Sequence, residues 1–255
     1  MVGKNMNKYA EGLLSSISFF TIIPLKKGYS INKYTLYFLS LIGIVSGLIS
    51  GVIFYLLSPL SRIIASVCSI SFLMIFYGLN HLDAIMDFGD SIMAGGDYTK
   101  KQEVIKDKYT GSGGMGLLFI VYLASVAFVS YFPGLYGLIT IISAEIGSRY
   151  LMILMMYRSK YFGNGLGKLF IESLGNNKGI PIINIIPFII MVFFNLYNVV
   201  ILIIVVIVMY LFKKRVEKLY NGINGDIIGS TGEISRLLYY IFSFIFLASG
   251  LFYIL

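Results

Sequence analysis

Asp83, Asp87 and Asp90 stand at i, i+4 and i+7 in the stretch HLDAIMDFGDS. On a helix of 3.6 residues per turn they share an arc of about 60°. Like charges stacked on one helix face repel, by roughly 0.2–0.5 kcal/mol per pair on exposed helices, so the arrangement asks for a compensating cation. Oxygen-only donors suit a hard ion, Mg²⁺ or Mn²⁺, rather than zinc. Six of the twelve acidic residues fall between Asp83 and Asp107, and Glu103 and Asp107 repeat the i, i+4 spacing on a second short amphipathic stretch. A solvated loop neutralised by its own lysines is the competing reading. It is weakened because the three aspartates continue directly from an apolar run and share one face.

Other residue types add to this inventory. The run Gly111-Ser112-Gly113-Gly114-Met115-Gly116 either presents backbone N–H groups to a phosphate at a helix N-terminus or makes a tight turn with close helix packing. Glu145 and Arg149 form an i, i+4 pair inside an apolar run, where ionisable residues are costly; a functional pair and an intrahelical salt bridge both remain open. Asp226 and Glu233 lie seven apart in NGINGDIIGSTGEIS, on one face if that segment is helical. His81, the only histidine, falls opposite the aspartate face and reads as an interface residue. Carboxylates, glycine turns and basic side chains gathered on one membrane face fit metal-assisted phosphoryl transfer, in which catalysis is mostly positioning and charge neutralisation. The Ser/His or Cys/His machinery of acyl transfer is lacking.

The elements that must position these groups are membrane helices. Of 255 residues, 58% are hydrophobic and 13% charged, against about 25% charged in soluble domains. No hydrophilic stretch is long enough to fold separately, so 1–255 reads as one integral membrane domain. Uncharged runs predict spans near 34–57, 63–80, 115–132, 135–157 and 237–255. The long run 179–212 divides at Asn195-Leu196-Tyr197-Asn198 into two short spans. The expectation is an all-α, polytopic transmembrane helical bundle of about seven spans. With the N-terminus cytoplasmic, eighteen Lys and Arg fall inside and only Arg62 outside, Arg149 being intramembrane. Positive charge resists translocation, which accounts for the net +8 better than nucleic acid does. The site loops 81–114, 158–178 and 213–236 are then cytoplasmic, and the apolar segment within 10–25 lies at the interface. The basic start precedes no cleavage site, so no removable signal peptide is expected. Cys68 is alone and forms no intrachain disulfide.

These motifs resemble the cobalamin synthase family, the adenosylcobinamide-GDP ribazoletransferases. The family's H-x-D-G-L-A-D-x-x-D-G helix is matched by His81, Asp83, Asp87 and Asp90, and its E-x-M-(R/K)-D-x-x-x-G-x-x-G stretch by Glu103, Lys106, Asp107, Gly111 and Gly114. An Arg on a span, and an Arg followed by a glycine run, resemble Arg149, Arg158 and Gly163/Gly165/Gly167. The family's T-G-D-x-x-G…E resembles Asp226, Gly229 and Glu233. The departures are Ala84 and Ser91 for two glycines, Ile22 for an arginine in F-x-T-R-x-P, Asn224 for threonine and Arg236 where an acid is usual. The lost arginine puts the holding of a substrate phosphate in question.

The resemblance implies a multi-pass cell-membrane enzyme of cobalamin biosynthesis with its active site on the cytoplasmic face. It implies attack by the ribose hydroxyl of α-ribazole, or of its 5′-phosphate, on the cobinamide-linked phosphorus of adenosylcobinamide-GDP, with release of GMP. Mg²⁺ is the implied cofactor, on Asp83, Asp87 and Asp90. Asp107 and Asp226 complete the shell or orient the hydroxyl, and Lys106 and Arg158 offset leaving-group charge. The lipid bilayer is a partner, nucleic acid is not, and an oligomer is compatible with all of this. A CDP-alcohol phosphotransferase is the alternative enzyme, but its D-x-x-D-G-x-x-A-R pattern is absent. A transporter is the alternative of another class, with Glu145/Arg149 its only support.

Overall fold

The computed structural model describes residues 7–25, 31–107, 109–192 and 196–250. Lys4, Lys26, Lys27, Lys108, Asn195 and the end of the last expected span, 251–255, lie outside them. The described chain is a helical membrane bundle. Its elements are α1 (Lys8–Phe20), α2 (Leu39–Leu57, entered through a 3-10 turn at Thr35–Phe38), α3 (Arg62–Phe76) and α4 (Asn80–Met93). They continue with α5 (Tyr98–Val104), α6 (Ser112–Ser130), α7 (Gly134–Met156), α8 (Leu166–Leu174), α9 (Gly179–Val192), α10 (Tyr197–Tyr220) and α11 (Gly225–Ala248).

Among the described residues four segments are each long and apolar enough to cross a bilayer: Thr35–Leu57, α6, α7 and α11. Two bent pairs, α3 with α4 at 92° and α8 with α9 at 93°, raise the number to six at most, against about seven expected. The differences have local causes. The second expected span stops at Phe76, because Gly78 and Leu79 adopt φ +69° and +62° and turn the chain into α4. The fifth is the 14-residue α9, whose length of about 21 Å at 1.5 Å per residue is short of a 30 Å hydrocarbon core. The last begins at Gly225 rather than Leu237. Glu233 and Arg236 therefore sit inside a spanning helix, and Arg236, expected in a cytoplasmic loop, is buried. The loops 81–114 and 213–236 are themselves largely helical, while 158–178 is helical only over Leu166–Leu174.

The bundle centres on α7, most of whose length is buried. It meets α2 along Gly43, Gly47 and Gly51, where added Cβ atoms would lie 2.8 Å from Glu145 O, 2.9 Å from Ile142 Cα and 3.0 Å from Leu138 O. Small residues four apart let two membrane helices approach backbone to backbone, where dispersion does the work that the hydrophobic effect does in water. Ser50 Oγ and Ser69 Oγ, 2.7 Å apart, tie α2 to α3. Leu48, Leu56, Phe119, Ile120 and Leu123 face outward, as a lipid solvent permits.

Candidate active site

Helix α4 carries Asp83, Asp87 and Asp90 within one unbroken helix, as their spacing predicts. It is held at both flanks. Buried Lys101 reaches back from α5 and donates through Nζ to the carbonyls of Ser91 (3.1 Å), Ile92 (3.1 Å) and Ala94 (2.7 Å). A cation there satisfies the carbonyls and the negative pole of the helix end. On the other flank, α4 lies flush against the start of α6: a Cβ on Gly114 would fall 2.5 Å from Met86 O, and one on Gly89 2.7 Å from Gly113 O. Asp90 accepts from Gly111 N (2.6 Å) and Gly114 N (2.8 Å). Two N–H groups of the glycine run, those of Gly111 and Gly114, thus go to a carboxylate of the protein itself, and the glycines permit close helix packing. Both Asp90 oxygens are engaged in capping α6.

Asp83 and Asp87 are met by Asp226 from α11. Asn224 caps that helix, accepting from Ile227 N at 3.0 Å and donating to Asp226 Oδ2 at 2.7 Å. This fixes Asp226 in the first turn, where the helix dipole favours an anion. The two helices cross closely at Ala84, since a Cβ on Gly229 would come 2.8 Å from that of Ala84, and Ser230 Oγ donates to Ala84 O at 2.7 Å. With Ala84 filling one of the positions of the motif's glycines, Gly229 is what leaves room for the crossing. α4 stands outside the four unbroken spans. There burial, and then the charges of Asp226, Asp83 and Asp90, push the Asp87 carboxyl up to about 7. Among the described residues no ion pair engages any of these four aspartates. Nor do three acids, histidines or cysteines close into a cage for a metal.

Asp226 also lines a cavity of about 690 Å³ that Asp83 and Asp87 do not line. The chain around it is clipped together by Ile223, whose N donates to Lys160 O at 2.8 Å and whose O accepts from Phe162 N at 3.0 Å. Lys106 enters it with Nζ 5.7 Å from the Phe162 ring centre, over Gly163 at φ +83°. Gly165 and Gly167 pack under Tyr161.

The remaining sequence candidates lie elsewhere. Asp107 is past the end of α5, exposed, its Oδ1 accepting from Tyr109 N at 3.3 Å; the helical pairing with Glu103 is therefore broken, and Glu103 pairs with Lys100 at 3.4 Å. Arg158, at φ +59°, lines a different cavity between α7 and α10. Its neighbours there, Leu151 and Met155, occupy another face of α7 from Met152 and Met156, which line the first cavity.

Glu145 and Arg149 belong to a larger buried group. Glu145 pairs with Arg149 (3.6 Å) and with Arg236, and Glu233 pairs with Arg236 (2.6 Å) and Arg149 (3.9 Å). Tyr77 donates to Glu145 at 2.6 Å and Tyr122 to Glu233 at 2.9 Å. His81 Nδ1 lies 2.9 Å from Glu233 Oε1, its ring stacked on Tyr77 with centres 5.2 Å apart. His81 is thus a satisfied interface residue at the cavity floor. The sequence reading missed Lys101, Tyr77 and Tyr122 as partners. Only Lys101 had a usable signal, a lysine soon after the end of an acidic helix.

A model of the cobalamin-5-phosphate synthase family matches residues 12–244. The chain is 42% identical over 231 residues to a protein of Picrophilus torridus named adenosylcobinamide-GDP ribazoletransferase, covering 89% of this chain and 95% of that one. A protein of the same name from Thermoplasma volcanium is 36% identical over 240 residues, with 93% and 91% covered. One from Saccharolobus islandicus is 31% identical over 235 residues, with 90% and 89% covered. No solved structure matches the chain. A match over nearly the whole length places the chain in the cobalamin-5-phosphate synthase family.

Proposed function

We propose that this protein transfers the adenosylcobinamide-phosphate moiety of adenosylcobinamide-GDP to α-ribazole or its 5′-phosphate, releasing GMP and forming adenosylcobalamin or its 5′-phosphate. The observation that carries the reading is the group of carboxylates from α4 and α11, brought face to face with no ion pair to a basic side chain among the described residues, in a chain of this family. An anionic diphosphate does not approach such a face unaided. Open oxygen donors that do not close a cage suit Mg²⁺, which keeps waters and takes substrate phosphates into its shell. Asp83, Asp87 and Asp226 would hold it, and when bound it would neutralise charge on the diphosphate.

The chain's own residues do the rest. Asp90 fixes the start of α6 against α4 and so sets where the other aspartates point. Asp226 stands between the aspartate face and the cavity, in position to orient a ribose hydroxyl. The new bond joins that oxygen to the cobinamide-linked phosphorus, the bridging bond to GMP breaks, and the hydroxyl proton passes to a carboxylate or water. Lys106 offers positive charge at the cavity wall. Arg158 acts at another place. Lys100, Lys101, Lys106, Lys160 and Lys168 crowd the chain around the aspartate face and the cavity, and because positive charge resists translocation this supports a cytoplasmic position for that face at the cell membrane. Purified protein given both substrates should release GMP with Mg²⁺ and stop on chelation. No GMP release under either condition sinks this reading, and release unaffected by EDTA removes the metal.

A further inference from the structure

The cavity and the aspartate face differ in chemistry although Asp226 belongs to both. On one side of the cavity three rings interlock. Phe19 and Phe20 of α1 have centres 4.9 Å apart, and Phe170 of α8 lies 4.8 Å from the first and 5.4 Å from the second. On another side Phe162 is backed by Tyr220 in a parallel stack at 6.1 Å and 4°. The formal charges on the wall are Asp226 and Lys106.

We infer that this aromatic cavity seats the planar base of the uncharged nucleoside substrate, leaving the diphosphate-bearing corrinoid outside on the aspartate face. The inference rests on the transfer reaction proposed above and says which of its two substrates goes where. Size is the first argument. A cavity of about 690 Å³ is in the range that encloses a compact ligand; a nucleoside fits, and a corrin ring with its side chains does not. Charge is the second. Asp226, with Asp83 and Asp87 behind it, disfavours a phosphate-bearing ligand until a cation intervenes, whereas a neutral nucleoside meets no such barrier. Surface chemistry is the third. Aromatic walls take up a flat base through its faces, and Asn80, Asn164 and Asn224 on the same lining offer hydrogen bonds to its edge or its ribose. A base held among the rings brings its ribose to Asp226, the one carboxylate shared with the aspartate face. Acceptor and donor then meet across that residue.

Metal dependence separates the two sites. In equilibrium dialysis with EDTA, wild-type protein should bind α-ribazole and should not bind adenosylcobinamide-GDP, which should bind only with Mg²⁺. Phe170→Leu and Phe19→Leu keep an apolar side chain and remove the flat face. Each should raise the Kd and KM for α-ribazole about tenfold, with kcat and the Mg²⁺-dependent binding of adenosylcobinamide-GDP unchanged. That retained binding certifies the fold of the variants. The inference is overturned if wild type fails to bind α-ribazole in EDTA, which needs no variant to read. It is overturned equally if GMP competes with α-ribazole there, placing guanine among the rings, or if folded variants bind α-ribazole as wild type does. Failure of the transfer reading looks different: no GMP is released by wild type whatever binds.

Discussion

The molecule holds two groups of acids, and they are managed in opposite ways. Glu145 and Glu233 lie fully buried between α7 and α11, yet each is paired with arginine and receives a tyrosine hydroxyl. Two acids and two arginines sum to zero. Asp83, Asp87 and Asp226 lie nearer water, along one face of α4 and in the first turn of α11, and among the described residues none is in an ion pair. Where charge is buried most deeply it is cancelled; where it is half-buried it is left over. Burying an unpaired ion costs several kcal/mol, so the first group has no freedom to be anything but paired. The second can wait for a ligand because water screens it meanwhile. The fold leaves this negative charge uncancelled although the chain has twenty Lys and Arg, and it is this surplus that the proposed Mg²⁺ would neutralise.

The contrast is broken most directly through activity. Asp87→Asn should lower kcat/KM for GMP release by about 10²–10³-fold, the size seen when one preorganised charge-stabilising group is lost, with the protein still monodisperse in detergent. Arg236→Met should do the reverse. It leaves Glu145 and Glu233 sharing one arginine and should cost about 3–5 kcal/mol of stability, read as a lowered midpoint in thermal unfolding. Adding Glu145→Gln to Arg236→Met should restore much of that loss, because the cost comes from an uncompensated charge rather than from the missing contact. Additive losses in the double variant would mean that the four side chains do not act as a unit.

The two groups were not equally legible in the sequence. Asp83, Asp87 and Asp90 could be read because a helix repeats every 3.6 residues and an apolar run leads into them. Their division of labour could not. Asp90 differs from Asp87 only in lying beside the start of α6, a tertiary fact that turns one into a cap and leaves the other free. Asp226 was legible as a candidate, while its approach to Asp83 depends on the α4–α11 crossing at Ala84 and Gly229. The paired group was half visible, since i, i+4 spacing shows Glu145 with Arg149 and says nothing of Arg236 one helix away. Reading Arg236 as a loop residue followed from placing the last span by its absence of charge, a rule that fails wherever charges are paired inside a bundle. The stripe Gly43, Gly47, Gly51 carried its own signal, a period of four in an apolar run, and went unread.

Proton competition sharpens the difference further. Burial and its acidic neighbours hold the Asp87 carboxyl at about 7, so without metal the group is protonated below that pH and ionised above it. A cation must displace the proton. Mg²⁺ affinity should therefore fall as pH drops from 8 to 6, approaching tenfold per unit below 7, and binding should release close to one proton at pH 6. Calorimetry in buffers of different ionisation enthalpy counts that proton. Affinity that stays flat across this range would detach Asp87 from the metal.

The smallest effect is the one most particular to this comparison, because it asks for opposite signs from the same kind of change. Neutralising an acid in the paired group strands a cation, so Glu233→Gln should lower stability. Neutralising Asp87 relieves a carboxylate that burial and three neighbouring aspartates already disfavour. The sign follows from the direction of its shift. A raised carboxyl pKa means the ionised form is held less well folded than unfolded, so its cost is absent below the unfolded value and complete above the folded one. At pH 8 in EDTA, Asp87→Asn should thus be more stable than wild type. The gain should be on the order of 1 kcal/mol, screened because the side chain is only partly buried, or about 2–4 °C in a domain of this size. At pH 5 most of that gain should be gone, since wild-type Asp87 is then protonated too. Saturating Mg²⁺ at pH 8 should reverse the order, stabilising wild type by mass action and the variant hardly at all. If Asp87→Asn destabilises the metal-free protein at pH 8, the carboxylate has a structural partner, and the division between a cancelled and a waiting group of acids does not hold at its centre.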